Sequence, residues 1–168
     1  MKVDFFKQEC RTITNEMKFG LCDDENNKEP AYINITDEST WIATVINDTA
    51  KKIEFTAIDN CINIFRENGE MERRCDTMIS YENNLLFVEL KTKRADWKAE
   101  GLNQKEVTIN SMLEHNENYY YSFTKRKAIV ANSKHRFPSF QDYDTEQREY
   151  FKDKYKIRIQ YEAEIVIR

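Results

Sequence analysis

The chain has 168 residues, a formal net charge of −4, 40% apolar residues and 12% aromatics. That length and apolar share exclude a disordered chain and allow one sizeable core without disulfide staples. Three glycines and two prolines exclude long flexible linkers, and no apolar run reaches the length of a membrane span.

The opening Met1–Lys7 is amphipathic and soon charged, unlike a secretory leader. The expectation is a soluble, cytoplasmic protein with no membrane partner. Of the four cysteines, Cys10, Cys22, Cys61 and Cys75, none forms a Cys-x-x-Cys pair. A structural zinc site is therefore unsupported, and four reduced thiols are expected.

The first 50 residues read as strand-rich. Ala31–Thr36 alternates, and Trp41–Ile46 is β-branched and apolar. The polar stretch Asp23–Asn27, with Pro30 behind it, reads as a loop. A hairpin or meander at the edge of the domain is expected here, without recognisable chemistry.

Lys52–Ala57 reads as extended, and Asn68-Gly69 as a turn. Two strands follow, Asp76–Tyr81 and Leu85–Leu90, joined through Glu82–Asn84. A long helical pattern starts near Asp96, an expected N-cap or first-turn acid. It carries Ala99, Leu102, Ile109, Met112 and Leu113 at helical spacing and fades near Asn116. Tyr119–Phe123 extends that helix or begins a strand. Arg126–Ala131 reads as a strand, Phe137-Pro138 as a break, Asp144–Tyr155 as a helix and Ile157–Ile167 as one alternating strand. Helices returning to a central sheet predict a single α/β or α+β domain over 1–168.

The chemistry concentrates on Leu86–Lys91. Alternation puts Leu86, Val88 and Leu90 on one strand face, and Phe87, Glu89 and Lys91 on the other. Burying Glu89 among apolar neighbours needs a compensating cation, either Lys91 or a metal. If residues 76–81 and 84–90 pair through a Tyr81–Asn84 turn, Ser80 faces Leu85 and Asp76 falls opposite Glu89. Two carboxylates with Cβ atoms about 4.5–5.5 Å apart repel one another unless they share a hard cation such as Mg²⁺ or Mn²⁺. Asp76 and Glu89, with the Leu90 carbonyl, are therefore the expected metal ligands. Lys91 is expected beside the attacking water or the developing phosphorane charge.

Asp76, a gap of twelve residues, then Glu89-Leu90-Lys91 at the end of an apolar strand resembles the PD-(D/E)XK nuclease superfamily. The resemblance covers roughly residues 54–168. It implies a restriction-endonuclease-like mixed central sheet flanked by helices, with a nuclease-like core over 51–168 beyond the section 1–50. It also implies a Mg²⁺- or Mn²⁺-dependent nuclease acting on DNA rather than RNA. Gln104 on the following helix matches members in which a glutamine supports the site. Many members carry an upstream acid; Asp59 is the candidate here and Glu54 the rival. Cys75 stands where the motif's name has proline. A homodimer or larger assembly would widen the DNA contact of so short a chain.

Charge is unevenly spread. Residues 1–84 hold 10 Lys and Arg against 17 Asp and Glu, whereas 91–136 hold 10 against 5. Lys93, Arg94, Lys98, Lys125, Arg126, Lys127, Lys134 and Arg136 could line a backbone-tracking groove, and His135 could assist a phosphate contact. Trp97 could stack on a base, though helix packing is the expected role, and the Tyr119–Tyr121 run is expected to fill core and rim. The competing function is a non-catalytic binding or interaction module, such as an immunity component, that keeps the scaffold.

Overall fold

Leu85-Leu86-Phe87-Val88 is apolar on both strand faces, and a strand of that kind must be covered on both sides. The computed structural model, which describes residues 2–24, 26–134 and 145–168, places this run at the centre. All eight residues of its strand, Asn84–Lys91, are buried.

Along the chain, β1 is Arg11–Thr14, β2 Lys18–Cys22, β3 Tyr32–Asn34, β4 Ala43–Ile46, β5 Ile53–Ala57, β6 Thr77–Tyr81 and β7 Asn84–Lys91. Helix α1 spans Trp97–Ser122, β8 Lys125–Asn132, α2 Thr145–Tyr155, β9 Arg158–Tyr161 and β10 Glu164–Val166. Six strands form one sheet in the order β1-β5-β6-β7-β8-β9, and four form a second in the order β10-β4-β2-β3. Both sheets mix parallel and antiparallel pairs. The architecture is mixed α/β in three layers.

Alternation along β7 sorts the two cores. Leu85 and Phe87 pack with Leu102, Ile109, Met112 and Tyr120 of α1 and with Phe151 and Tyr155 of α2. Leu86, Val88 and Leu90 pack instead against Phe19, Leu21, Ala43 and Val45 of the second sheet. Glu89 and Lys91, in phase with Phe87, thus belong to the helix side.

The tyrosine run continues α1 through to Ser122. The fading near Asn116 marks a local break, where φ is −145° and ψ 45°. Arg126 closes the helix end by donating to the carbonyls of Tyr120 and Phe123, which would otherwise be orphan acceptors. Asp96 does precede α1, but it has a left-handed φ of 57° and makes no side-chain cap bond. Ala99 is exposed; the buried stripe runs instead through Gly101, Leu102, Lys105, Thr108, Ile109 and Met112. Gly101 is required by close approach. A Cβ there would lie 2.9 Å from Val130 and 3.5 Å from Glu89 Cγ.

Three expectations need correction. The N-terminal section divides: β1 joins the edge of the central sheet, while β2, β3 and β4 form, with β10, a second sheet packed across it through Phe19, Leu21 and Val45. The single strand expected over Ile157–Ile167 is two strands in different sheets. Ile157, Ile159 and Tyr161 face the helix-side core while Ile165 and Ile167 face the inter-sheet core, so the chain must cross between layers at Glu162-Ala163. The cysteines are not four thiols. Cys10 and Cys61 form a disulfide, and only Cys22 and Cys75 are free, both buried. A cross-link closing so long a loop stabilises by about 2–4 kcal/mol.

His135, Arg136, Phe137-Pro138 and Asp144 lie outside the described residues. Among the described residues, no helix is long and apolar enough to cross a membrane.

Candidate active site

The hairpin register between β6 and β7 is the predicted one. Ser80 faces Leu85 and Thr77 faces Val88, which sets Asp76, one residue before β6, across from Glu89. The turn is tight because Glu82 takes a positive φ of 47°, a conformation that closes two-residue hairpins.

At this end of the hairpin, carboxylates and backbone interlock. The Asp76 amide donates to Glu89 Oε2 at 3.2 Å, and the Leu90 amide donates to Asp76 Oδ2 at 2.6 Å. Lys91 Nζ lies 3.1 Å from Glu89 Oε1 and donates to Gln104 Oε1 at 2.9 Å. Gln104 Nε2 in turn reaches the Arg74 carbonyl at 3.4 Å. Thr108, one turn further along α1, accepts from the Cys75 amide at 2.9 Å. Helix α1 therefore clamps both Lys91 and the segment that carries Asp76.

Asp59, Asp76, Glu89, Leu90, Lys91 and Gln104 all line one cavity of about 360 Å³. Asp59 follows β5 and pairs with the buried Arg74 at 2.9 Å. Its rival Glu54 lies opposite Ser80, toward the other end of the hairpin, and pairs with Arg11 at 2.9 Å. Geometry thus selects Asp59 as the acid near the pair.

Two contributions were not foreseen. Asp23 and Asp24, which follow β2, line the same cavity; reading Asp23–Asn27 as a plain loop missed them, because only sheet-on-sheet packing brings them here. Lys105 is completely buried on α1. Its signal was a lysine in phase with Gly101, Thr108 and Met112 on the buried stripe.

Burial sets the electrostatics. It pushes the Glu89 carboxyl up to about 7, with Lys91 and Lys105 partly offsetting it. Burial, and next the charge of Glu89, hold Asp76 well above the usual carboxylate range, against the Leu90 hydrogen bond. Burial pulls Lys105 down to about 8, opposed by Glu89, Cys75 and Asp76. It also pulls Lys91 down, but the charge and hydrogen bond of Glu89, then Asp76 and Glu100, outweigh it and raise that lysine.

These shifts predict how metal-free stability depends on pH. A carboxyl raised on folding contributes stability that is full below its unfolded value, near 4.5 for Glu89, and is lost as pH rises through about 7. Lys105, lowered on folding, contributes stability above about 10.5 that is lost as pH falls through about 8. In EDTA, the melting temperature should therefore fall between pH 5 and pH 7. Glu89→Gln should flatten that fall in calorimetric scans, and an unchanged slope in the variant would refute the assignment to Glu89.

The expected basic groove is only partly assembled. Lys93 lines the cavity and pairs with Glu100 at 2.9 Å. Lys125–Lys127 begin β8 beside Asn84–Leu86, at the end of β7 away from Glu89, and Arg126 is spent on helix-end carbonyls. Trp97 packs edge-on against Tyr161, and Lys98 Nζ sits 4.8 Å from the Tyr161 ring centre. Among the described residues, no three or more His, Cys, Asp or Glu side chains gather as a metal cage. Comparisons with protein-family models, with curated proteins and with solved structures find no match to this chain.

Proposed function

We propose that the protein is a metal-dependent nuclease of the PD-(D/E)XK type, hydrolysing phosphodiester bonds of DNA. One observation carries the reading: the six residues singled out in the sequence line a single cavity around the buried Asp76–Glu89 pair.

The donor set fits Mg²⁺ or Mn²⁺. Mg²⁺ keeps several waters and takes only one or two protein carboxylates, with substrate phosphate completing the shell. A cage of three or more His, Cys, Asp or Glu side chains is therefore not required. Asp76, Glu89 and the Leu90 carbonyl would hold the ion, with Asp59 at the rim of the site. When bound, the ion supplies Lewis acidity and a water acidified for attack.

The chain's own residues do the rest. Lys91, held between Glu89 and Gln104, places a cation where charge builds on the phosphate oxygens. Gln104 orients that ammonium, and Thr108 anchors the segment that carries Asp76, through the Cys75 amide. Hydrolysis forms one P–O bond to water and breaks one P–O ester bond in line, with no covalent enzyme intermediate.

The second reading is a non-catalytic binding module. Asp23 and Asp24 on the cavity wall favour it, since added negative charge repels a phosphodiester. Incubating the purified protein with plasmid and with single-stranded DNA, in Mg²⁺, Mn²⁺ or EDTA, separates the two. Metal-dependent nicking supports the enzyme; no cleavage together with no rise in melting temperature on adding either ion refutes it. Size-exclusion chromatography with and without DNA tests a homodimer or larger assembly. A cytoplasmic location, which we also propose, requires the Cys10–Cys61 pair to withstand or adapt to a reducing milieu; thiol alkylation in cell extract reads that state directly.

A further inference from the structure

We propose that Lys105 is a positioning residue, a resident counter-ion behind the Asp76–Glu89 pair that makes divalent-cation binding depend on the arrival of an anion. This rests on the metal-centre reading above.

Lys105 has no solvent exposure, and its Nζ makes no hydrogen bond among the described residues. A buried ammonium without hydrogen bonds is strongly unfavourable, so a fold keeps one only where other charges face it. The charged and titratable groups acting on it come from two segments: Glu89 and Lys91 of β7, and Asp76 and Cys75 just before β6. Gly101, one turn back, brings α1 down onto Val130 and Glu89, so this lysine enters from the helix side while the cavity opens in front of the carboxylates.

The charge balance then has a consequence. Even with both carboxylates ionised, the two ammoniums cancel them, so these four groups give the empty centre no net negative charge to draw in a cation. A divalent ion would bring two uncompensated positive charges into a buried site, which is unfavourable in a low dielectric. An entering phosphodiester returns part of that charge. Metal and anionic substrate should therefore bind with positive coupling, each improving the other's affinity equally. Removing the Lys105 charge leaves a net negative centre that takes the ion without help.

The test measures Mn²⁺ affinity by titration calorimetry, alone and with a duplex oligonucleotide bearing phosphorothioate linkages. Wild-type protein should bind Mn²⁺ weakly alone and about tenfold or more tightly with the duplex, the scale expected for one nearby unit charge at reduced dielectric. Lys105→Met, close in shape and uncharged, should bind Mn²⁺ about tenfold more tightly alone and gain less from the duplex. Lys105→Gln serves the same purpose if the methionine variant does not fold. A structural role would weaken binding along with stability and would not tighten it. Equal Mn²⁺ affinity in wild type and variants overturns this inference alone. Absence of Mn²⁺ binding to every protein overturns the metal centre and the inference with it.

Discussion

Lys91→Ala should slow divalent-dependent cleavage by about 10²–10⁴-fold, the range for losing a positioned general acid–base group or a charge-stabilising donor. Lys91 Nζ bonds both Glu89 and Gln104, so its position is over-determined. Single-turnover nicking of supercoiled plasmid measures the effect. Mn²⁺ affinity should not weaken, because the carboxylates remain and one neighbouring positive charge is lost. Lys91→Arg should not restore the rate. A planar guanidinium cannot replace a compact ammonium between one carboxylate and one amide. Equal, EDTA-sensitive cleavage by wild type and Lys91→Ala would move the chemistry away from this site.

Gly20→Ala should lower the melting temperature by roughly 6–20 °C. A Cβ at Gly20 would lie 1.9 Å from Trp41 Cγ, so the indole must leave. Trp41 is buried and donates Nε1–H to Asn34 Oδ1 at 3.1 Å. Ejecting it compares with deleting a large aromatic from a core, about 3–5 kcal/mol, and each kcal/mol shifts a domain of this size by about 2–4 °C. Calorimetry on Gly20→Ala, Trp41→Ala and the double variant checks the cause. The double variant should be much less destabilised than the sum of the singles; additivity would show that the two sites do not share the space. Gly20 pairs with Asn34 and Thr44 in the second sheet, and β2 leads directly to Asp23. Loss of this packing should therefore also disturb the cavity wall.

The two variants draw on parts of the molecule that differ in how legible they were. Strand alternation and a short turn are local rules. From them came the face shared by Phe87, Glu89 and Lys91, the Ser80–Leu85 register and the place of Asp76 opposite Glu89. Each depends on residues within a few positions of one another, and side chains in a strand have no other arrangement. Gln104 was named by resemblance; its bond to Lys91 depends on how α1 crosses the sheet.

The rest depends on packing between distant segments. Asp59 rather than Glu54 reaches the cavity because β5 runs antiparallel to β6, which carries Glu54 toward the other end. Lys105 is buried because Gly101 lets the helix settle onto Glu89, a contact that helical spacing alone does not announce. Cys10 meets Cys61 across a separation of 51 residues, which no spacing rule announces. Ile157–Ile167 has the alternation of one strand but divides, because its apolar residues are claimed by two cores. The Asp76–Glu89–Lys91 centre was thus written into the sequence as local geometry. Its buried counter-ion, its acidic wall and its covering sheet were decided only by tertiary packing, where burial and long-range contact outweigh any pattern in neighbouring residues.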